Sequence, residues 1–158
     1  MRQIIKKIAY ISMLLLFTVF TSCEDEPAES NIYEEIIGRG QSFTATMGSL
    51  HFRIINNYPD ILPAEGLSNY LDAPTIMFVG EVESLDAVNI SANAQWSKKC
   101  GIVDKGGYVA RVKWYDASTR EDRMGYIYMY VEKIGSSQPD AKPGVFHDEI
   151  KVVYKLKA

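Results

Sequence analysis

Two cysteines, two histidines and no surplus of positive charge are what this 158-residue sequence has to work with, and each shortage closes off a class of function. With His51 and His147 as the imidazoles and Cys23 and Cys100 as the thiols, no zinc ligand set of ordinary spacing can be assembled. Two cysteines do not make a disulfide-stapled scaffold either. Lys and Arg number 17 against 20 Asp and Glu, a formal charge of −3, so there is no basic field for nucleic acid and no such partner is expected. A phosphate-cradling glycine loop is missing. The polar stretch Asp116 to Arg123 lacks the spacing and central glycine of a calcium loop. No cofactor or metal is expected. Long apolar runs are also lacking: the one from Ile8 to Phe20 holds 13 residues, short of the roughly 20 that span a bilayer as a helix.

That short run is informative for another reason. Arg2, Lys6 and Lys7 precede it, and Phe20-Thr21-Ser22-Cys23 follows it, which is the layout of a signal peptide over residues 1–22. Small residues directly before a cysteine resemble the bacterial lipobox, where the Cys23 thiol would be diacylglycerylated, the chain cut before it and the new amino terminus acylated. A plain secretory signal ending near Ser22 is the alternative. Each buried methylene contributes about 0.8 kcal/mol, so two or three acyl chains hold a small domain firmly at a membrane. Loss of residues 1–22 removes three cations and no acid, which takes the formal charge to −6. Glu24, Asp25, Glu26 and Glu29 account for four of these, so from Asn31 onward the balance is −2. Residues 23–30 therefore read as an acidic tether, and 31–158 as one globular domain. Acidic residues at this place also resemble the export tag of Bacteroidetes lipoproteins destined for the outer face of the outer membrane. An ordinary solvated tether is the plainer account.

Short alternating runs broken by turn residues predict a mainly β, antiparallel sandwich or barrel with little helix. Strands are expected at Gly48 to Asn56, Thr75 to Glu83, Leu85 to Ile90, Lys99 to Val103, Tyr108 to Tyr115, Met124 to Ile134 and Glu149 to Leu156. Gly80 suggests a bulge. Asp104-Lys105-Gly106-Gly107 reads as a turn whose glycines supply positive φ. Asn57 to Pro74 reads as irregular, with one helical turn available at Glu65 to Leu71. Gly135 to Phe146 reads as a loop, and Ile32 to Ile37 is the one stretch that suits a helix.

The suggestive feature is aromatic. Alternation puts Tyr126, Tyr128 and Tyr130 on one face of their strand. In the strand before it, Tyr108, Ala110, Val112 and Trp114 share a face and leave Arg111, Lys113 and Tyr115 opposite. Two cations are not buried unpaired, so the second set is the wet face. If the hairpin register sets the tyrosines on that side, a row of phenol rings stands beside Arg111 and Lys113, a surface that suits sugars. Tyrosine's β propensity accounts equally well for a half-buried row facing the core. Candidate ligand-binding residues are therefore Tyr126, Tyr128, Tyr130, Tyr115 and Arg111.

Catalytic groupings are thin. Glu81 and Glu83 share a strand face at a separation suited to glycoside hydrolysis, but neighbouring same-face positions meet that distance in almost any strand. His147-Asp148 resembles half of a triad, yet Ser136 and Ser137 have no strained nucleophile turn around them. Cys100 after Lys98 and Lys99 lacks a histidine partner and reads as a half-buried strand residue. His51 lies opposite the Leu50, Phe52 and Ile54 face. An enzyme is not expected.

From Phe78 onward the residues Phe78-Val79-Gly80 with Val82 and Leu85, then Trp96, Gly107-Tyr108-Val109-Ala110-Arg111, Tyr126 to Val131, Ile134 and Val152-Val153-Tyr154 resemble a family of small Bacteroidales lipoproteins of unknown function. The chain departs from that pattern at Lys105, where a glycine would stand, at Tyr128, where an arginine would stand, and in the longer polar stretch Asp116 to Arg123. The resemblance implies an architecture and a host lineage, not a reaction. Two functions follow as expectations: a non-catalytic surface module binding a glycan or an envelope protein, or a structural, envelope-maintaining lipoprotein with no small-molecule ligand.

Overall fold

The computed structural model describes residues 31–48, 50–65, 70–134 and 148–157; Cys23, the tether, Ser136, Ser137 and His147 lie outside them. Among the described residues, nine strands form two antiparallel sheets, one of order β1-β9-β8-β7-β5 and one of order β2-β3-β4-β6. The larger sheet holds β1 (Ile32–Ile37), β5 (Thr75–Glu81), β7 (Gly106–Asp116), β8 (Glu121–Ile134) and β9 (Glu149–Lys157). The smaller holds β2 (Ser42–Met47), β3 (Leu50–Asn57), β4 (Asp60–Glu65) and the two-residue β6 (Cys100–Gly101). The sheets face each other as a β-sandwich rather than closing into a barrel.

Alternation explains the layers. In β2 and β3, Phe43, Ala45, Met47, Leu50, Phe52 and Ile54 are buried while Ser42, Thr44, Thr46, His51 and Arg53 are exposed, the period-2 pattern of strands with one dry face. The larger sheet answers with Tyr108, Ala110, Val112 and Trp114 from β7, Ile127, Met129 and Val131 from β8, and Ile150, Val152 and Tyr154 from β9. A stack of rings joins the two layers: Phe43 lies on Tyr154 at 4.6 Å between centroids, and Tyr154 on Tyr33 at 5.1 Å.

Several elements differ from expectation. Ile32 to Ile37 is not helical but an edge strand, because β9 offers it a full antiparallel partner from Ile32 opposite Lys155 to Ile37 opposite Ile150. Asn57 to Pro74 is not irregular throughout, since β4 occupies Asp60–Glu65. Pro63 is tolerated there because β6 covers only Asp60 and Ile61, leaving no partner on the outer side to want its missing N–H. Glu65 is in that strand, so the helical turn expected to begin there does not. Leu85 to Ile90 is not a strand: Leu85–Ala87 is one turn of 3-10 helix. Asp116 to Arg123 is not a long loop, because β7 and β8 continue pairing to Asp116 opposite Glu121. At the turn before β7, positive φ falls on Lys105 at 53° and not on the glycines. Gly106 and Gly107 are needed for space instead, since a Cβ at the first would meet Tyr108 and at the second Val82. Gly80 does mark a bulge: its φ is 129° and the register skips between Phe78 and Gly80.

Candidate functional site

The β7–β8 register decides the question that alternation left open. Arg111 is opposite Tyr126, Val109 opposite Tyr128 and Gly107 opposite Tyr130, so the tyrosines stand on the same outer face as Arg111, Lys113 and Tyr115. That face is not an open strip. The segment after β5 folds back over it, seating Leu85 and Val88 on Met77, Val109 and Tyr130 as a second small core. Gly107 has no side chain because the cover closes there: a Cβ would meet Val82 Cγ2 at 3.1 Å and Val88 Cγ2 at 3.3 Å.

The cover sorts the tyrosines. Tyr130 is 7% exposed and donates its hydroxyl to Glu132 Oε1 at 3.0 Å, which removes it from any solvent-facing ligand surface. Tyr128 is half-buried, and burial pushes its hydroxyl pKa up, with the neighbouring Tyr126 adding to the rise. Tyr126 is half-buried at the margin of the cover; its hydroxyl reaches Met124 Sδ at 2.9 Å. Tyr115 is exposed. Trp96, at the trailing end of the cover, tilts against Tyr126 at 6.4 Å and carries the Arg111 guanidinium 4.4 Å above its ring. Arg111 has no carboxylate partner among the described residues, whereas Lys113 pairs with Asp122 at 3.6 Å and Lys155 with Asp86 at 3.3 Å. What stays open is an aromatic and cationic corner made by Trp96, Arg111 and Tyr126, with Met124 and Tyr115 beyond it.

Sequence reasoning missed the part Trp96 plays here. Its signal is a lone large aromatic in a polar, strandless stretch, which is how a segment that folds back onto a surface reads. The other expected groups do not converge. Glu81 ends β5 and Glu83 lies beyond it, both exposed, so they share no strand face. His51 is exposed, and its Nδ1 sits 3.1 Å from Thr46 Oγ1. Cys100 is half-buried in β6; burial pushes its thiol pKa up, and Asp60 adds to this while the Ser97 hydroxyl opposes it. Such a thiol is poorly ionised near neutral pH and a weak nucleophile. Among the described residues, no three His, Cys, Asp or Glu side chains cluster as a metal site would need.

A second concavity opens at the far end of the sandwich, about 430 Å³ in volume, between the end of β2 and the turn end of the β7–β8 hairpin. Met47, Trp114 and Leu156 form its apolar wall, and Thr46, Asp116 and Arg123 its polar rim.

No family model, curated protein or solved structure matches the chain.

Proposed function

We propose that this chain is a non-catalytic binding module, held at a bacterial outer membrane by lipid on Cys23 and facing the cell exterior, whose outer sheet face takes a glycan. The observation that carries the reading is Arg111, a cation with no carboxylate partner among the described residues, stacked on Trp96 beside Tyr126. Flat rings meet the C–H faces of sugars while the guanidinium's donors, fixed in a plane, meet hydroxyls or acidic substituents. The signal-peptide layout before Cys23 supports the address, as does the resemblance to small Bacteroidales lipoproteins.

One observation favours the second reading, a structural lipoprotein without a small ligand. The cover that buries Tyr130 and half-buries Tyr128 gives those rings a packing role of their own.

A glycan array probed with the detergent-solubilised lipoprotein separates the two readings. Binding is expected, and Arg111→Ala/Tyr126→Ala is expected to lose about tenfold or more in affinity while melting cooperatively like the wild type. Binding untouched by the double variant, or no binding to any glycan, would reject the outer-face reading. The anchor has its own test. Cys23→Ala is expected to move from the detergent phase to the aqueous phase on phase separation; persistence in the detergent phase would show that lipid on Cys23 is not what holds the protein.

A further inference from the structure

Eight residues, 24–31, separate Cys23 from Ile32 at the start of β1. Fully extended, that stretch spans about 30 Å at most, so lipid on Cys23 would keep the start of β1 within that distance of the bilayer. Ile32 is level with Lys155 in β9 and, through it, with Tyr128 in β8. From there the β7–β8 hairpin overhangs past the start of β1: β8 begins at Glu121, seven residues before Tyr128, which is about 23 Å at the usual strand rise. The overhang is most of the distance that the tether allows.

The overhang carries exposed apolar side chains. Met124 is opposite Lys113, and Tyr115 is two residues beyond Lys113, so both stand on the outer face with Arg111. Leu71 lies against them: Tyr70 bridges Trp114, and the Leu71 N–H donates to the Lys113 carbonyl at 3.0 Å. Of the eight large hydrophobic side chains exposed among the described residues, Leu71, Tyr115, Met124 and Ile32 lie at this end of the sheet. The charges of the overhang cancel. Beyond Arg111 and Tyr126 it carries Lys113, Arg120 and Arg123 against Asp116, Glu121 and Asp122, with Lys113 paired to Asp122 at 3.6 Å. Such a surface has no basic field to draw an acidic partner and no acidic excess to repel headgroup phosphates. Leucine and methionine suit the acyl boundary, and tyrosine suits the layer where a ring is dry and its hydroxyl wet.

We propose that the overhanging end of the β7–β8 hairpin rests on the bilayer that holds the anchor, with Leu71, Tyr115 and Met124 in its interface. The proposal rests on the lipid-anchor reading and is independent of the glycan. Three side chains hold a domain weakly by themselves, since binding at an interface scales with the apolar area buried. The tether makes their docking an intramolecular step, which is how a weak contact becomes a populated one. Tyr126 stands two residues along β8 from Met124, about 7 Å further from the contact, so the Arg111 corner stays above the lipid.

The methionines supply the readout. Outside residues 1–22 they are Met47, Met77, Met124 and Met129, of which Met124 alone is exposed, so one methyl reports the surface and three report the fold. The full lipoprotein, labelled with ¹³C at the methionine methyls, is placed in phosphatidylcholine nanodiscs containing a lipid spin-labelled near its headgroup. The Met124 signal is expected to broaden. In Leu71→Ser/Tyr115→Ser the broadening is expected to fall at least about threefold, while the three buried methyls keep their positions. Tyr115→Ser alone serves should the double variant misfold. Because the charges cancel, high salt and added phosphatidylglycerol are expected to change little. The mass of the purified chain shows whether it is acylated. A chain without acyl groups overturns the anchor reading and this inference with it. In an acylated chain, three outcomes overturn the docking alone: equal broadening in wild type and folded variant, broadening that needs phosphatidylglycerol or disappears in salt, and a Met124 signal that never broadens, which would leave the patch to a protein partner. Arg111 and Tyr126 are unaltered throughout, so the glycan reading stands or falls on the array.

Discussion

Asn56→Ala is expected to lower the stability of the fold by about 3 kcal/mol, and Asn56→Asp by more at neutral pH. Asn56 is the one buried polar or charged side chain among the described residues. Its Nδ2 donates to the Ile37 carbonyl at 3.0 Å and to the Asp148 carbonyl at 2.7 Å, and its Oδ1 accepts from the Tyr58 N–H at 3.2 Å. One amide thus joins the end of β1, the approach to β9 and the β3–β4 turn. Alanine strands two carbonyls and an N–H in the interior. Aspartate turns a carboxylate toward two carbonyl oxygens, so its pKa in the folded protein rises above the unfolded value. The sign follows: a raised folded pKa leaves no ionisation penalty below the unfolded pKa of about 3.9, and the penalty grows as pH climbs above it. The gap between Asn56→Asp and wild type should therefore narrow as pH falls toward 4. Urea melts at several pH values check this. An aspartate variant as stable as wild type at pH 7 would mean that this corner is held by something else.

Gly106→Ala is expected to cost about 3 kcal/mol, for reasons of space and not of backbone freedom. A Cβ at Gly106 would lie 2.7 Å from Tyr108 Cε2, 2.8 Å from its hydroxyl and 2.8 Å from the Val103 carbonyl oxygen. None of these can move cheaply. Tyr108 is fully buried, and its hydroxyl accepts from the Val103 N–H at 2.7 Å and donates to the Gly101 carbonyl at 2.8 Å. Burial pushes that hydroxyl up to about 12, so it stays a donor throughout the ordinary pH range. Tyr108→Phe removes both hydrogen bonds at a cost of about 2 kcal/mol. Since the added methyl and the hydroxyl compete for one place, Gly106→Ala/Tyr108→Phe should cost less than the two single changes together. Additive costs in a double-mutant cycle would break the link between the two residues.

How much of this the sequence discloses depends on whether a residue's partner is near it in the chain. The dry faces of β3, β7 and β8 are legible because alternation is a local signal, and β2, which the reading passed over, alternates just as clearly from Phe43 to Met47. Alternation also gave the common face of Tyr126, Tyr128 and Tyr130. It could not give their burial, which comes from Leu85 and Val88, three residues apart and placed on one side by a 3-10 turn that a period-2 reading takes for a strand. Ile32 to Ile37 reads as a helix for a related reason. Ile32 and Ile36 are four apart, and the strand that overrides this pattern is at the other end of the chain. The concavity at the end of the sandwich is illegible locally, since Thr46 and Arg123 belong to different sheets and come to line one cleft only when the layers close.

The pairing of β1 with β9 also sets the order in which the domain can finish folding. Ile32 waits for Lys155, and Tyr33 cannot complete its stack with Tyr154 and Phe43 until the last strand has arrived. Local hairpins such as β2–β3 and β7–β8 close early, but the edge of the larger sheet is a contact of very high sequence separation and forms late. Until β9 arrives, β1 is unpaired, with Ile32 and Ile36, exposed even in the finished fold, in reach of any other strand edge. The seam joins the first strand of the domain to be made to the last, and it is the last part to close.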